Sequence, residues 1–171
     1  MVELNERDWL DGQLPREVGP VTLHGVTMGP MWSVSPFAGQ QAACVAALAK
    51  IAVAWPARGR ATAGAMWFGL DQVMVQGAVM PAMPAAVTDQ SDAWACICVK
   101  GDAVAVLARL VPVDLRAPEG TVWRTLVGHM TAHITCVAED AYDVMVMRSM
   151  AGTLLHDLTT AAQAVAARGD V

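Results

Sequence analysis

The chain has 171 residues, 55% of them hydrophobic and only 16% charged, with a formal net charge of −5 and a pI of about 5.2. That length suits one ordinary domain with a core of its own. The acidic balance, with only Lys50 and Lys100 as lysines, excludes a nucleic-acid binder and disfavours an anionic membrane surface, because both need a positive footprint.

In chain order, residues 1–20 are polar, charged and broken by Gly12, Pro15, Gly19 and Pro20, so they read as an extended amino-terminal arm, lying along a partner or frayed. Glu3, Glu6, Asp8 and Asp11 face a single Arg7 there, so the positive region of a secretory signal is missing. Val21 to Met28 is predicted as a first strand. Ser35-Pro36 reads as a helix start, serine capping and proline at the first position. The helix that follows places Val45, Leu48, Ala49 and Ala52 on its apolar face and stops before Trp55-Pro56. Ala65 to Gly69 and Gln72 to Gly77 form a hairpin, and the prolines of Met80 to Pro84 make a loop or a single helical turn.

Trp94 to Val99 is apolar on both faces, the pattern of a strand buried on both sides. Gly101-Asp102 opens a helix with Val104, Leu107, Ala108 and Val111 inward, ended by Pro112. Thr121 to Cys136 alternates with period two, which predicts a long half-buried strand with a bulge or bend at Gly128. One face carries Val122, Leu126, Met130, Ala132, Ile134 and Cys136, interrupted by Arg124. His129 and His133 lie on the other. Asp143 to Met147 is a returning strand. Ser149 then caps a long helix whose stripe is Ala151, Leu154, Leu155, Leu158, Ala161, Ala162 and Val165.

The order strand, helix, strand, strand occurs twice. This predicts an α+β domain over residues 21–171, with antiparallel or mixed sheets and helices, and two β-α-β-β halves at about 21–87 and 88–171. The mean hydropathy of +0.40 is high, yet no run reaches the roughly 20 apolar residues of a membrane helix. The best, Ala42 to Trp55, contains Lys50. The surplus must go into a core, a small-molecule pocket or an interface. The 11 Met and 6 Trp favour an interface within a permanent complex. Cys44, Cys96, Cys98 and Cys136 form no Cys-x-x-Cys pair and read as buried reduced thiols, which points to the cytoplasm.

The second half carries a resemblance. Val87 to Ser91, a strand, Gly101 to Ala103, then Leu107 and Val111 to Leu115 resemble the folate-binding domain of the glycine-cleavage T-protein superfamily. Within it, Thr88 to Trp94, Leu107 to Arg116, Arg124-Thr125 with Gly128-His129, and Arg148 to Met150 look like the gamma subunit of heterotetrameric sarcosine oxidase. The resemblance covers about residues 35–166. It implies a non-catalytic structural subunit, partnered by alpha, beta and delta subunits, in a complex that oxidatively demethylates sarcosine to glycine. Hydrogen peroxide is released and a one-carbon unit passes to tetrahydrofolate. FAD, FMN, NAD, tetrahydrofolate and zinc are implied for the other subunits, and no cofactor, metal or catalytic residue for this one. Two alternatives stand beside it: a stand-alone folate-binding or aminomethyltransferase-like protein, and the gamma subunit of a related N-methyl amine demethylase.

Asp114 matches an aspartate at the folate site of T-proteins, so it is a vestigial folate-site candidate that could orient an amine or move a proton. Val113 replaces the asparagine of that pattern, and the chain ends before the second folate-contacting domain. Both favour a carboxylate that pins the loop after Pro112. His129 and His133, about 13 Å apart along a strand, read as surface or interface residues rather than a metal pair. Arg124 and Arg148 read as intersubunit contacts or as partners of Asp114 or Asp89. Asp89 and Asp92, flanking Ser91, read as turn and capping groups. No phosphate-binding motif is present.

Overall fold

The computed structural model describes residue 10, residues 12–77 and residues 79–169. Among them, the strands are β1 (Arg16–Val18), β2 (Val21–Gly25), β3 (Met31–Pro36), β4 (Ala61–Thr62), β5 (Ala65–Gly69), β6 (Gln72–Gln76), β7 (Ala85–Asp89), β8 (Trp94–Gly101), β9 (Val122–Val127), β10 (Met130–Ala138) and β11 (Ala141–Met147). The helices are α1 (Gln41–Ala49), α2 (Ala103–Leu107) and α3 (Ala151–Gly169), the last entered through a 3-10 turn at Arg148–Met150.

These strands make two sheets, ordered β1-β2-β8-β11-β10-β9 and β4-β5-β6-β3-β7. Every neighbouring pair is antiparallel. The chain is thus α+β, and its two sheets have matching orders. In the first, β2 flanks β8, followed by β11, β10 and β9. In the second, β7 flanks β3, followed by β6, β5 and β4. Each half therefore gives its leading strand to the sheet of the other half, β2 before β3 and β7 before β8. Neither half can complete its sheet alone.

Three apolar clusters define the layers. The largest lies between the first sheet and α2 with α3, built on Leu23, Ile97, Val99, Ile134, Val144, Leu154 and Leu158. A smaller one, with Val34, Val73, Val75 and Leu48, lies between the second sheet and α1. Between the sheets sit Met31, Phe68, Met74, Cys96 and Met145. The layer order is helices, sheet, sheet, helix. Each fully buried leucine or valine side chain contributes about 1.5–3 kcal/mol by leaving water, so the α3 side carries more of the burial.

The hairpin of β5 and β6, the strand β8 and the stripe of α3 match the sequence pattern. Other expectations are corrected. Ser35-Pro36 ends strand β3 instead of starting a helix; both residues pair with β7. The helix starts at Gln41 and buries Cys44, Ala47 and Leu48, leaving Val45 exposed. Of the arm, residues 1–9 and 11 lie outside the described residues, Leu10 is buried in the main core, and Arg16–Val18 pairs with β2. Helix α2 is shorter than expected, with Asp102 accepting a hydrogen bond from the Ala105 N–H at 3.4 Å. Ser149 falls inside the 3-10 turn.

The long strand at Thr121 to Cys136 is a hairpin. Gly128, at φ 57, and His129 form a two-residue turn between the paired Val127 and Met130. A positive φ costs glycine least, so glycine serves there. The turn shifts the phase of one strand against the other, and Arg124 lands opposite His133 rather than on the face of Ala132 and Ile134.

Candidate functional site

Where the two halves cross, the residues of the Thr88 to Trp94 segment meet the start of β3. The Gln90 N–H donates to Met31 O at 2.8 Å, and the Met31 N–H donates to Ser91 Oγ at 3.1 Å. Asp89 Oδ1 accepts from the Ser91 N–H at 2.9 Å and from its hydroxyl at 2.6 Å, which holds the carboxyl below its ordinary pKa. Asp92 Oδ1 accepts from Arg148 Nη1 at 3.2 Å. Arg148 thus pairs with Asp92, not with Asp89 or Asp114, and fastens the end of β11 to the crossover. Asp89 thus closes a turn on Ser91, and Asp92 pairs with Arg148 at the surface.

Asp114 lies on the loop between α2 and β9. Its Oδ1 accepts from the Arg116 backbone N–H and from Nε, and its Oδ2 from Nη2, each at 3.0 Å. The Arg116 guanidinium keeps the carboxyl below its ordinary pKa. Next in the loop, Leu115 is buried and its carbonyl accepts from the Tyr142 hydroxyl at 3.0 Å. The geometry makes Asp114 a loop-closing acceptor whose charge is already met.

His133 is 1% exposed and lies between the sheets. Its ring stacks on Phe68, with centroids 3.9 Å apart, and meets Trp94 edge-on at 5.8 Å. Its Nε2 is 3.0 Å from Phe68 O, so Nε2–H donates in the neutral ring, and Nδ1 has no hydrogen-bond partner among the described residues. Burial, with the nearby Arg124 charge in support, pushes its pKa down to about 4. His133 is therefore spent inside the chain and offers no surface. His129, in the turn, is exposed, as is Arg124 on the edge strand. The structure pairs Arg124 with His133 across β9 and β10 but leaves the first exposed and the second buried, and Arg148 lies apart at the end of β11. The alternation in the sequence could have revealed His133 only with the Gly128 turn placed.

A surface concavity of about 380 Å³ lies beside α1, walled by Trp55 and Trp67, with Arg58 and Asp71 at its margin. The hairpin turn there puts Asp71 at φ 50, and Leu70 beside it is 86% exposed. Sequence reading missed this region because Trp55 and Trp67 belong to separate elements.

These features define an α+β chain of two antiparallel sheets with exchanged leading strands and helices on the outer faces. No protein-family model matches the sequence, and no curated protein matches it either. In backbone it is similar to a chain of the heterotetrameric sarcosine oxidase from Corynebacterium sp. U-96, solved in complex with pyrrole 2-carboxylate. The TM-score is 0.72 over 85% of each chain, at 21% sequence identity. The two chains share a fold.

Proposed function

We propose that this chain is a non-catalytic, gamma-type subunit of a sarcosine oxidase-like heterotetramer, with the T-protein-like fold that this role carries. The observation that bears most weight is the backbone likeness over 85% of both chains. The proposed complex oxidatively demethylates sarcosine to glycine, releases hydrogen peroxide and hands a one-carbon unit to tetrahydrofolate in the cytoplasm. Alpha, beta and delta-type subunits are the proposed partners and hold its flavins, NAD, folate and zinc.

Two features of this chain support a structural role. Asp114 lies exposed on its loop and pairs with Arg116 rather than lining a pocket, as a turn-closing carboxylate would. Helix α1 turns Ala42, Ala43, Val45, Ala46 and Ala49 outward, with Phe37 at 57% exposure nearby. A helix that is apolar all round belongs under cover, and the proposed cover is a larger subunit of the assembly. Arg124, His129 and the unburied part of Arg148 are proposed as further polar contacts with partner subunits.

Affinity purification of the tagged chain from its native cell tests this. The expected result is stoichiometric recovery of a flavin-bearing subunit and peroxide release on adding sarcosine; dimethylglycine and N-methylproline, assayed in parallel, assign the amine. Recovery of the chain alone, or micromolar tetrahydrofolate binding by the isolated chain in a calorimeter, would overturn the reading.

A further inference from the structure

The two sheets do not close on each other everywhere. Where the loop of residues 26–30 crosses between them, a cavity of about 150 Å³ remains, and its walls include Met28, Met66, Met74 and Met145. Asp143 and Thr135 face into the same space. They are cross-strand neighbours on β11 and β10, and Cys98 of β8 flanks Asp143 on its other side.

Asp143 stands out among the carboxylates. It is half-buried, and the loss of water around it raises its pKa, only partly offset by the Cys98 thiol. Among the described residues no arginine, lysine or histidine forms an ion pair with it; the two ion pairs are Arg116 with Asp114 and Arg148 with Asp92. A carboxylate removed from water without a counter-charge is a standing electrostatic cost. Here it faces a cavity rather than a packed wall.

We infer that this cavity is a binding site for a small alkylammonium ion, with Asp143 supplying the counter-charge and the methionine thioethers the apolar wall. The charge argument selects a cation, and attraction is strong where water is scarce. The walls select its chemistry. Hard metal ions take six or more oxygen ligands and favour charged ones, whereas the wall here offers one carboxylate beside the neutral side chains of Thr62, Gln76 and Thr135. Soft ions take thiolates, whereas burial holds the adjoining Cys96 thiol far above its ordinary pKa and therefore protonated. Among the described residues no three His, Cys, Asp or Glu side chains converge. Polarisable, flexible thioethers pack well around methyl groups. At about 30 Å³ of liquid volume per water, the cavity has room for an ion of about five non-hydrogen atoms. The Thr135 hydroxyl is placed to accept an N–H.

The test uses the full chain labelled with carbon-13 at its methionine methyls, titrated with trimethylammonium chloride at fixed ionic strength. The expected result is saturable movement of the Met28, Met66, Met74 and Met145 signals. Neutral tert-butanol, of similar shape, should bind at least about tenfold more weakly. Asp143→Asn should weaken the ion by at least about tenfold while the remaining spectrum keeps its folded dispersion. Ala61→Leu, which narrows the cavity from β4 without touching the carboxylate, should block binding of both probes. Equal affinity for tert-butanol, undiminished binding in Asp143→Asn, or no saturable movement of these signals would each overturn the site.

Discussion

Helices α3 and α1 cover opposite sides of the same pair of sheets, and they end differently. Helix α3 buries Leu154, Leu155, Leu158, Ala161 and Ala162 and turns Thr153, His156, Thr160, Gln163 and Arg168 to water. Helix α1 buries Cys44, Ala47 and Leu48 and turns alanines and Val45 to water. The first presents a polar outer face; the outer face of the second is mostly alanine and valine. Exposed apolar side chains gather around α1 at Phe37, Val45 and Ile51, with others at Leu126, Met147 and Met150, whereas the outer face of α3 is polar.

The largest expected effect lies on the finished side. Leu158→Ala removes a fully buried side chain from the main cluster and should cost about 2–5 kcal/mol in urea unfolding. A loss under about 1 kcal/mol would mean that α3 is peripheral.

Between the sheets, His133 should make stability depend on pH. Its folded pKa of about 4 lies below the ordinary 6.5, so between those values the unfolded chain binds a proton that the folded chain refuses. Stability then falls as pH drops from 6.5 to 4 and levels off below, by on the order of 3 kcal/mol. His133→Phe keeps the stack on Phe68 and should flatten that slope. An unchanged slope in the variant would assign it to other groups.

A smaller effect is expected at the loop that carries Asp114. Tyr142→Phe removes the hydroxyl that donates to Leu115 O and should cost about 0.5–1.5 kcal/mol in thermal unfolding, with no change in the fold by NMR.

Smallest in the isolated chain, and sharpest for the comparison, are substitutions on the uncovered side. Val45→Glu with Leu70→Glu should change unfolding free energy by no more than about 0.5 kcal/mol, yet abolish recovery of partner subunits. Retained assembly would show that the outer face of α1 is not where the partner sits.

Much of this was legible in the sequence. The stripe of α3 follows the helical period without interruption, because the burial of one face and the exposure of the other are local facts repeated every turn. The hairpin of β5 and β6 was likewise visible in its two apolar runs and turn. Strand β3 was not. Ser35-Pro36 is a good local helix start, but pairing with β7 claims those residues for a sheet, and nothing near them in sequence announces it. Arg124 and His133 were misplaced for a related reason. A two-residue turn at Gly128 exchanges faces, and period-two alternation cannot tell a straight strand from a hairpin.

The sequence by itself determined the class of the domain, the stripe of α3, the absence of a basic footprint and the excess of apolar surface, since each is a matter of composition or local period. Tertiary packing decided that the halves exchange their leading strands, that His133 is sealed between sheets, and that Asp143 faces a cavity with no ion-pair partner among the described residues. Those outcomes depend on which distant segments meet, and no local pattern encodes them.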